Sequence, residues 1–204
     1  MNPMTWKALA ALWRLTLGAA LATGAIYLCG WVCRELIAYK VVSPVHDQKV
    51  FIRFLQAHFP ESGTYTIPDP SDDDETIEEL FETGPVATLH VLSPADIFLK
   101  KKWSLIRIGQ TFLVALLIGW ILRKSRSAIE SYRPRVIFIV LIGLAAALYN
   151  DMADPIWVYH PWQWGIAKGF SHVASWTIAG LILAFDWFIG LETGSAESHK
   201  QVSN

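Results

Sequence analysis

Carboxylates, imidazoles and tryptophans are concentrated in one short stretch of this sequence, between two strongly apolar runs. An acid beside an imidazole can move a proton, orient a metal ligand or hold a basic group of a partner. Such groups are costly to place at the edge of a membrane span, so they point to a functional site. The candidate polar residues are Asn150, Asp151, Asp154, His160 and His172.

The third apolar run of the chain is too short to cross a bilayer. Residues 136–149 are about 21 Å long at 1.5 Å per residue, against a hydrocarbon core of roughly 30 Å. The helix can extend inward over residues 132–135, or outward over residues 150–154 until Pro155 interrupts it. In an outward extension the polar side chains should turn toward the bundle and away from lipid.

The fourth apolar run places His172 near the depth of Asp151. A span of about twenty residues that ends at Leu191 begins near Ser171 and His172. Structural roles are also open for these groups. Asp154, which precedes a proline, and Ser171 can each cap a helix, and His172 can bind a loop carbonyl.

The link between these two spans, residues 156–170, is predicted to be a loop that lies along the membrane interface. Amphipathic rings prefer that position, and they also offer a contact surface to a partner. The aromatic residues concerned are Trp157, Tyr159, Trp162 and Trp164.

Composition places the chain in the membrane class. Hydrophobic residues make up 53% of it and charged residues 17%, and a net charge of -1 argues against nucleic acid as a partner. The first apolar run is predicted to be a retained anchor, because it exceeds the roughly 7–15 residues of a cleavable signal. The four predicted spans are residues 15–33, 106–122, 136–149 and 173–191.

Charge asymmetry predicts the direction of the spans. The short loop 123–135 is rich in Arg and Lys, which favours a cytoplasmic position for it and for both termini. The three lysines at residues 100–102 favour the opposite direction. They belong to a long translocated segment, however, where positive charge has less influence on orientation. The predicted outer tryptophans are Trp31, Trp103, Trp157, Trp162, Trp164 and Trp176, and the inner ones are Trp6, Trp13, Trp120 and Trp187.

The segment between the first two spans is predicted to form a small α/β module. A helix begins at Ser43 with Pro44 in its first turn, a strand follows at residues 64–67, then an acidic amphipathic helix and a strand at residues 86–92. A further helix starts at residues 93–94 and continues into the second span. A module of about sixty residues buries little surface, so it is expected to lean on the bundle or on a partner.

Small residues recur at helix-packing spacing within the spans, where they let backbones approach closely. The pairs are Gly18 with Ala22, Ala20 with Gly24, and Gly143 with Ala147.

Other titratable groups are assigned structural roles. The acidic run 72–82 could bind a hard cation, but it lacks a calcium-loop motif and a solvated loop is favoured. Cys29 and Cys33 share one helical face without a third ligand, which is typical of packing residues. Asp186 is predicted to pair with a basic residue of loop 123–135. No metal and no cofactor are expected.

Several short motifs resemble a family of uncharacterised four-span inner-membrane proteins of bacteria. The resemblance extends over most of the chain and implies the four-span topology, without an activity or a cofactor. The motifs are Gly63-Thr-Tyr-Thr-Ile-Pro68, Gly84-Pro-Val-Ala87, Asn150-Asp151, Asp154-Pro-Ile-Trp157, Pro161-Trp162 and Gly180 in the last span.

The sequence therefore predicts a mainly α fold, a four-helix transmembrane bundle with a small extracytoplasmic α/β cap between the first and second spans. The expected organisation is a cytoplasmic N-terminus and first span at 1–37, the module at 38–102, spans two to four at 103–191 with an outer aromatic loop at 150–172, and a cytoplasmic tail at 192–204.

The expected function is that of a noncatalytic integral protein of the bacterial inner membrane. Because no nucleophile, metal or phosphate signature is present, no catalytic residue is assigned. An accessory subunit or assembly factor that binds a membrane protein partner, or a homo-oligomer, is favoured. The alternative is a small membrane enzyme or transporter that uses the Asp/His site at the outer interface.

Overall fold

The chain is mainly α-helical and carries four helices that are long and apolar enough to cross a membrane, in a computed structural model that describes residues 3–69, 71–92 and 100–189. These spans lie within Ala8–Val41, Trp103–Lys124, Tyr132–Trp157 and Trp162–Leu183. A small two-stranded sheet lies between the first two. The predicted fold class is confirmed, and the protein is a multi-pass membrane protein.

The described elements follow one another in a simple order. Helix α1 (Pro3–Cys33) continues through a π-helical turn (Arg34–Ala38) into α2 (Tyr39–Val41). The module contains α3 (Gln48–His58), β1 (Gly63–Ile67), α4 (Asp74–Thr83) and β2 (Ala87–Val91). The remaining helices are α5 (Lys100–Lys124), α6 (Tyr132–Asn150), α7 (Ala153–Trp157), α8 (Trp162–Leu183) and α9 (Asp186–Ile189).

Helix α8 lies at the centre of the bundle. It packs against both α1 and α6, while α1 also packs against α5 and α9. Alanines supply much of the contact, which lets helix backbones approach where lipid gives no hydrophobic drive for association. The core consists of Ala19, Ala22, Ala115, Ile118, Leu122, Ile139, Ala179, Leu183 and Ile189.

The predicted small-residue contacts form at two of the three pairs. Gly143 is buried against α8, where an added Cβ would lie only 2.4 Å from Cβ of Trp176. Gly18 is buried against Phe188, which would lie 3.0 Å from an added Cβ. The prediction is wrong for Ala20 and Gly24, which are exposed on the outside of α1. A separate prediction, that Trp176 lies at the outer interface, is also wrong, because this residue packs into the bundle against Gly143.

The fourth span begins earlier in the chain than the sequence predicts. Helix α8 starts at Trp162 with Pro161 as its N-cap and ends at Leu183, so Ser171 lies within it and caps nothing at its start. The predicted aromatic loop is therefore reduced to the short link after α7. The reason is that small residues face the neighbouring helices here, with Gly165, Ala167 and Gly169 all buried.

One end of the bundle is held by a buried arginine, and we refer to it as the Arg135 end. Arg135 is 0% exposed, and its Nη1 donates to Asp186 Oδ1 at 2.5 Å and to the carbonyl of Ala184 at 3.2 Å. Its Nε and Nη2 donate to the carbonyls of Ile129 and Glu130. The prediction that Asp186 pairs with a basic residue of loop 123–135 is confirmed.

The module is an antiparallel two-stranded sheet with two helices. Strand β1 pairs with β2 in a register that joins Gly63 to Val91 and Ile67 to Ala87. The predicted cap at Ser43 is wrong: α3 begins at Gln48, because the carboxylate of Asp47 accepts from the N–H of Val50 at 3.2 Å. The predicted helix start at residues 93–94 lies outside the described residues.

The first turn of α4 should depend on pH through its cap. Asp73 accepts from the N–H of Thr76 at 2.9 Å and from its hydroxyl at 2.8 Å, and these bonds hold the pKa of Asp73 below its ordinary value. Since the pKa is lowered by folding, the capping contribution is present above the ordinary pKa of about 3.9 and is lost as pH falls through the folded-state pKa.

We expect hydrogen exchange at the Thr76 amide to accelerate in that acid range. Asp73→Asn keeps a capping side chain without a charge and should remove the dependence, whereas Asp73→Ala should raise exchange at every pH. Asp72→Asn is the matched control and should behave as the parent protein. An unchanged acid dependence in Asp73→Asn would contradict the assignment.

Candidate functional site

The opposite end of the bundle brings a carboxylate and an imidazole into contact, and we call it the Asp/His end. Asp151 forms the C-cap of α6, and its side chain is only 1% exposed. Nδ1 of His172, on α8, lies 2.5 Å from Oδ2 of Asp151. Asp151 and His172, which the sequence predicted to lie at similar depth, are therefore directly hydrogen-bonded. A role for them in function stays a prediction.

Sequence reasoning missed Lys168, which joins the two acids of this end. Its Nζ lies 2.6 Å from Oδ2 of Asp154 and 3.6 Å from Oδ1 of Asp151. The spacing was a usable signal, because Lys168 and His172 are four apart and thus share one face of a helix. Asp151 and Asp154 are three residues apart, so both can lie on the side of their segment that faces α8.

The other candidate polar residues take different positions. Asn150 is exposed, and its amide donates to the carbonyl of Ala146 at 2.9 Å, so it does not turn toward the bundle as predicted. Asp154 is not a helix cap: it lies in the first turn of α7, where Met152 is the N-cap. Nδ1 of His160 lies 3.7 Å from Oδ2 of Asp154, beyond hydrogen-bond distance.

Glycine allows α8 to pass close to the end of α6. A Cβ at Gly165 would lie 2.7 Å from Cγ of Pro155 and 2.9 Å from the carbonyl oxygen of Asp151. A side chain at this position would push α8 away from the Asp151 backbone. The short separation between Asp151 and His172 therefore depends on Gly165 as well as on the two polar residues.

The aromatic residues of this end differ in exposure. Trp157 is 78% exposed, and Tyr159 and Trp162 are also largely exposed, whereas Trp164 is partly buried. Tyr159 has a left-handed backbone with φ of 56°, which turns the chain between α7 and α8. Its ring lies edge-on to that of Phe81, with centroids 5.8 Å apart. This contact joins α4 of the module to the bundle, as expected for a module that leans on it.

A pocket of about 120 Å³ lies beside the Asp/His pair, between the end of the first span and α8. Its volume is well above the roughly 10–15 Å³ that one water molecule needs. The lining residues are Gly30, Cys33, Arg34, Trp164, Ala167, Lys168, Ser171 and His172.

The chemistry available at this end is that of proton exchange and polar binding. With Nδ1 directed to Asp151, the ring nitrogen of His172 that remains for a ligand or a proton is Nε2. Within the described residues no three His, Cys, Asp or Glu side chains lie close enough to hold a metal ion. Cys29 and Cys33 are buried with their sulfurs 4.0 Å apart.

The fold and this end together define a class: a multi-pass α-helical membrane protein with a buried carboxylate, an imidazole and a lysine at one end of its bundle. No protein-family model matches the sequence, and comparison with curated proteins and with solved structures gives no match.

Proposed function

We propose that the protein is a noncatalytic accessory subunit or assembly factor of the bacterial inner membrane, with both termini cytoplasmic, and that its module binds a membrane protein partner. In this orientation the module and the Asp/His end face away from the cytoplasm, as the basic loop 123–135 favours. Membership of the four-span family that the sequence motifs resemble is part of the same proposal.

The observation that carries the proposal is the exposure of apolar side chains on both helices of the module. None of the residues of α3 or α4 is buried. On α3, Val50 is 61% exposed and Phe54 48%, and on α4 Phe81 is 43% exposed. A two-stranded sheet is marginally stable in water, and apolar side chains gathered on one small module mark an interaction surface.

Charge favours a protein with a basic surface as the occupant. Helix α4 carries five acidic residues around its apolar side chains, so an anionic lipid surface would repel it. The same acids oppose a second copy of α4 and attract basic residues of a different chain. The acidic residues of α4 are Asp74, Glu75, Glu78, Glu79 and Glu82.

Photo-crosslinking of the full chain in its native membrane tests the proposal. A photoreactive side chain at position 54 should give one adduct with a second protein, whereas the same group at Phe185, exposed near the Arg135 end, should not. The double change Glu78→Lys, Glu79→Lys should lower the yield roughly tenfold, because charge complementarity is reversed. An acidic replacement in the crosslinked basic segment of the partner should restore it.

Three outcomes would contradict partner binding. One is an adduct made of two copies of this chain. Another is a yield that does not respond to the charge reversal. The third is a monodisperse lone monomer after purification in mild detergent, with no adduct at position 54.

A second candidate function, proton handling by a small membrane enzyme or transporter, is carried by the 2.5 Å contact between His172 and Asp151. It requires that Asp151→Asn and His172→Ala both fail to complement a deletion strain while the proteins accumulate normally. Asp186→Asn, at the other end, should complement. Full complementation by both site variants would exclude this function.

A further inference from the structure

We propose that the pocket at the Asp/His end binds a phosphate group, supplied by a lipid headgroup or by free phosphate. This inference is independent of partner binding by the module. The pocket opens between the π-helical turn that follows the first span and the outer half of α8. Both walls belong to spans and meet near one end of the bundle, where a lipid headgroup could approach the pocket.

The lining of the pocket contains two basic side chains and two further hydrogen-bonding groups. Arg34 comes from the first wall, and Lys168 and His172 come from the second, while Ser171 adds a hydroxyl. No carboxylate is among the lining residues. Arginine and lysine donors that converge from two helices are a usual means of holding a phosphate.

The two carboxylates of this end each contact a basic residue of the pocket. Asp151 is buried and bonded to Nδ1 of His172, and Asp154 is bonded to Lys168. These contacts fix the imidazole and the ammonium group before a ligand arrives, which lowers the entropy lost on binding. The lysine has three donors; one is used by Asp154 and a second lies near Asp151, at 3.6 Å, so one remains for an oxyanion.

The arginine of the pocket is available to a ligand. Its Nη2 lies 3.7 Å from Oε1 of Glu35, and the side chains are 55% and 44% exposed. A pair of this length and exposure is weak, since solvent screens it. The Arg34 guanidinium also lies over the ring of Tyr39, 5.9 Å from its centroid. Neither contact is a hydrogen bond, so the donors of its planar fork, which matches phosphate geometry, can still bind a ligand.

Gly30 offers a variant that fills the pocket and leaves every charge in place. It lines the pocket, and an added Cβ there meets no atom within 4 Å. Gly24 is the matched control, because it belongs to the same helix, also has open space around an added Cβ, and does not line the pocket. Gly30→Leu should abolish phosphate binding, and Gly24→Leu should leave it unchanged.

The experiment uses the purified full chain. In one arm, phosphatidylglycerol is titrated into the chain in a neutral detergent that lacks phosphate, and bound lipid is counted by native mass spectrometry. In the other arm, inorganic phosphate is titrated calorimetrically into the chain in a neutral detergent. Arg34→Gln should weaken binding roughly tenfold, the loss of one charge-assisted contact, and Arg34→Lys should weaken it less.

Each outcome decides the proposal. Saturable binding in either arm that Gly30→Leu removes and Gly24→Leu retains supports it, and the arm that responds identifies the source of the phosphate. Binding in neither arm, or binding that Gly30→Leu and Arg34→Gln both leave intact, would overturn it. Circular dichroism of each variant shows whether a loss reflects unfolding; if Gly30→Leu unfolds, the exposed Arg34 variants decide.

Discussion

Replacement of Arg135 by methionine is expected to destabilise the bundle by about 3 kcal/mol, because a fully buried donor group is lost from three backbone carbonyls at once. Asp186 is 53% exposed, so water can solvate its carboxylate after the change, and the carbonyls account for most of the cost. Unfolding of the purified chain in detergent, followed by circular dichroism, measures the effect.

The matched control for this change is Arg133→Met. Arg133 belongs to the same first turn of α6 and is exposed, so its loss should change stability by no more than about 0.5 kcal/mol. Arg135→Lys keeps the charge but lacks the planar fork that serves several acceptors, so its stability should fall between the two. Equal stability of Arg135→Met and Arg133→Met would show that the buried contacts do not hold this end.

A methyl group at Gly143 is expected to destabilise the protein by about 1–3 kcal/mol, because α6 and α8 must move apart to accept it. The added Cβ would lie 2.4 Å from Cβ and 2.5 Å from Cγ of Trp176. The first of these distances cannot be relieved by rotating the indole, since Cβ is fixed by the backbone. The helices themselves must therefore separate.

Gly109→Ala is the matched control for Gly143→Ala. Gly109 lies in α5, another span, and an added Cβ meets no atom within 4 Å. Its replacement should be neutral or stabilising, by up to about 1 kcal/mol, because alanine is the better helix former. Gly143→Ala should thus lower the unfolding midpoint, whereas Gly109→Ala should leave it unchanged or raise it. A shift of the same sign and size would show that close approach at Gly143 is not needed.

Hydrophobic runs were sufficient to predict the spans, and the periodicity of apolar residues was sufficient for the strands and the acidic helix, since both patterns are local in the sequence. They failed at the start of α8. Gln163, Lys168 and His172 lower the hydropathy there, although Lys168 and His172 are satisfied by acids on the preceding segment. A one-dimensional hydropathy profile cannot record that compensation. It therefore reads a helix with paired polar groups as a loop.

The candidate site was predictable in part. Asp151 and His172 follow from helix lengths, and Asp186 follows from the rule that intramembrane acids find partners. Lys168 was missed because a lone lysine in an aromatic stretch resembles an interface anchor. The pocket could not be predicted from the sequence either, because Arg34 follows the first span and is far in sequence from His172. Only the packing of α1 against α8 brings that residue beside His172.

The central position of α8 has a consequence for how the chain is assembled during synthesis. Arg135 and Asp151 lie on or next to α6, yet their partners Asp186 and His172 are made later, in the last span or just after it. Helix α1 likewise gains its packing against α8 only after the last span has been made. A ribosome-bound chain that has completed three spans therefore has Arg135 without Asp186 and Asp151 without His172, and both partners arrive with the last span and the residues just after it.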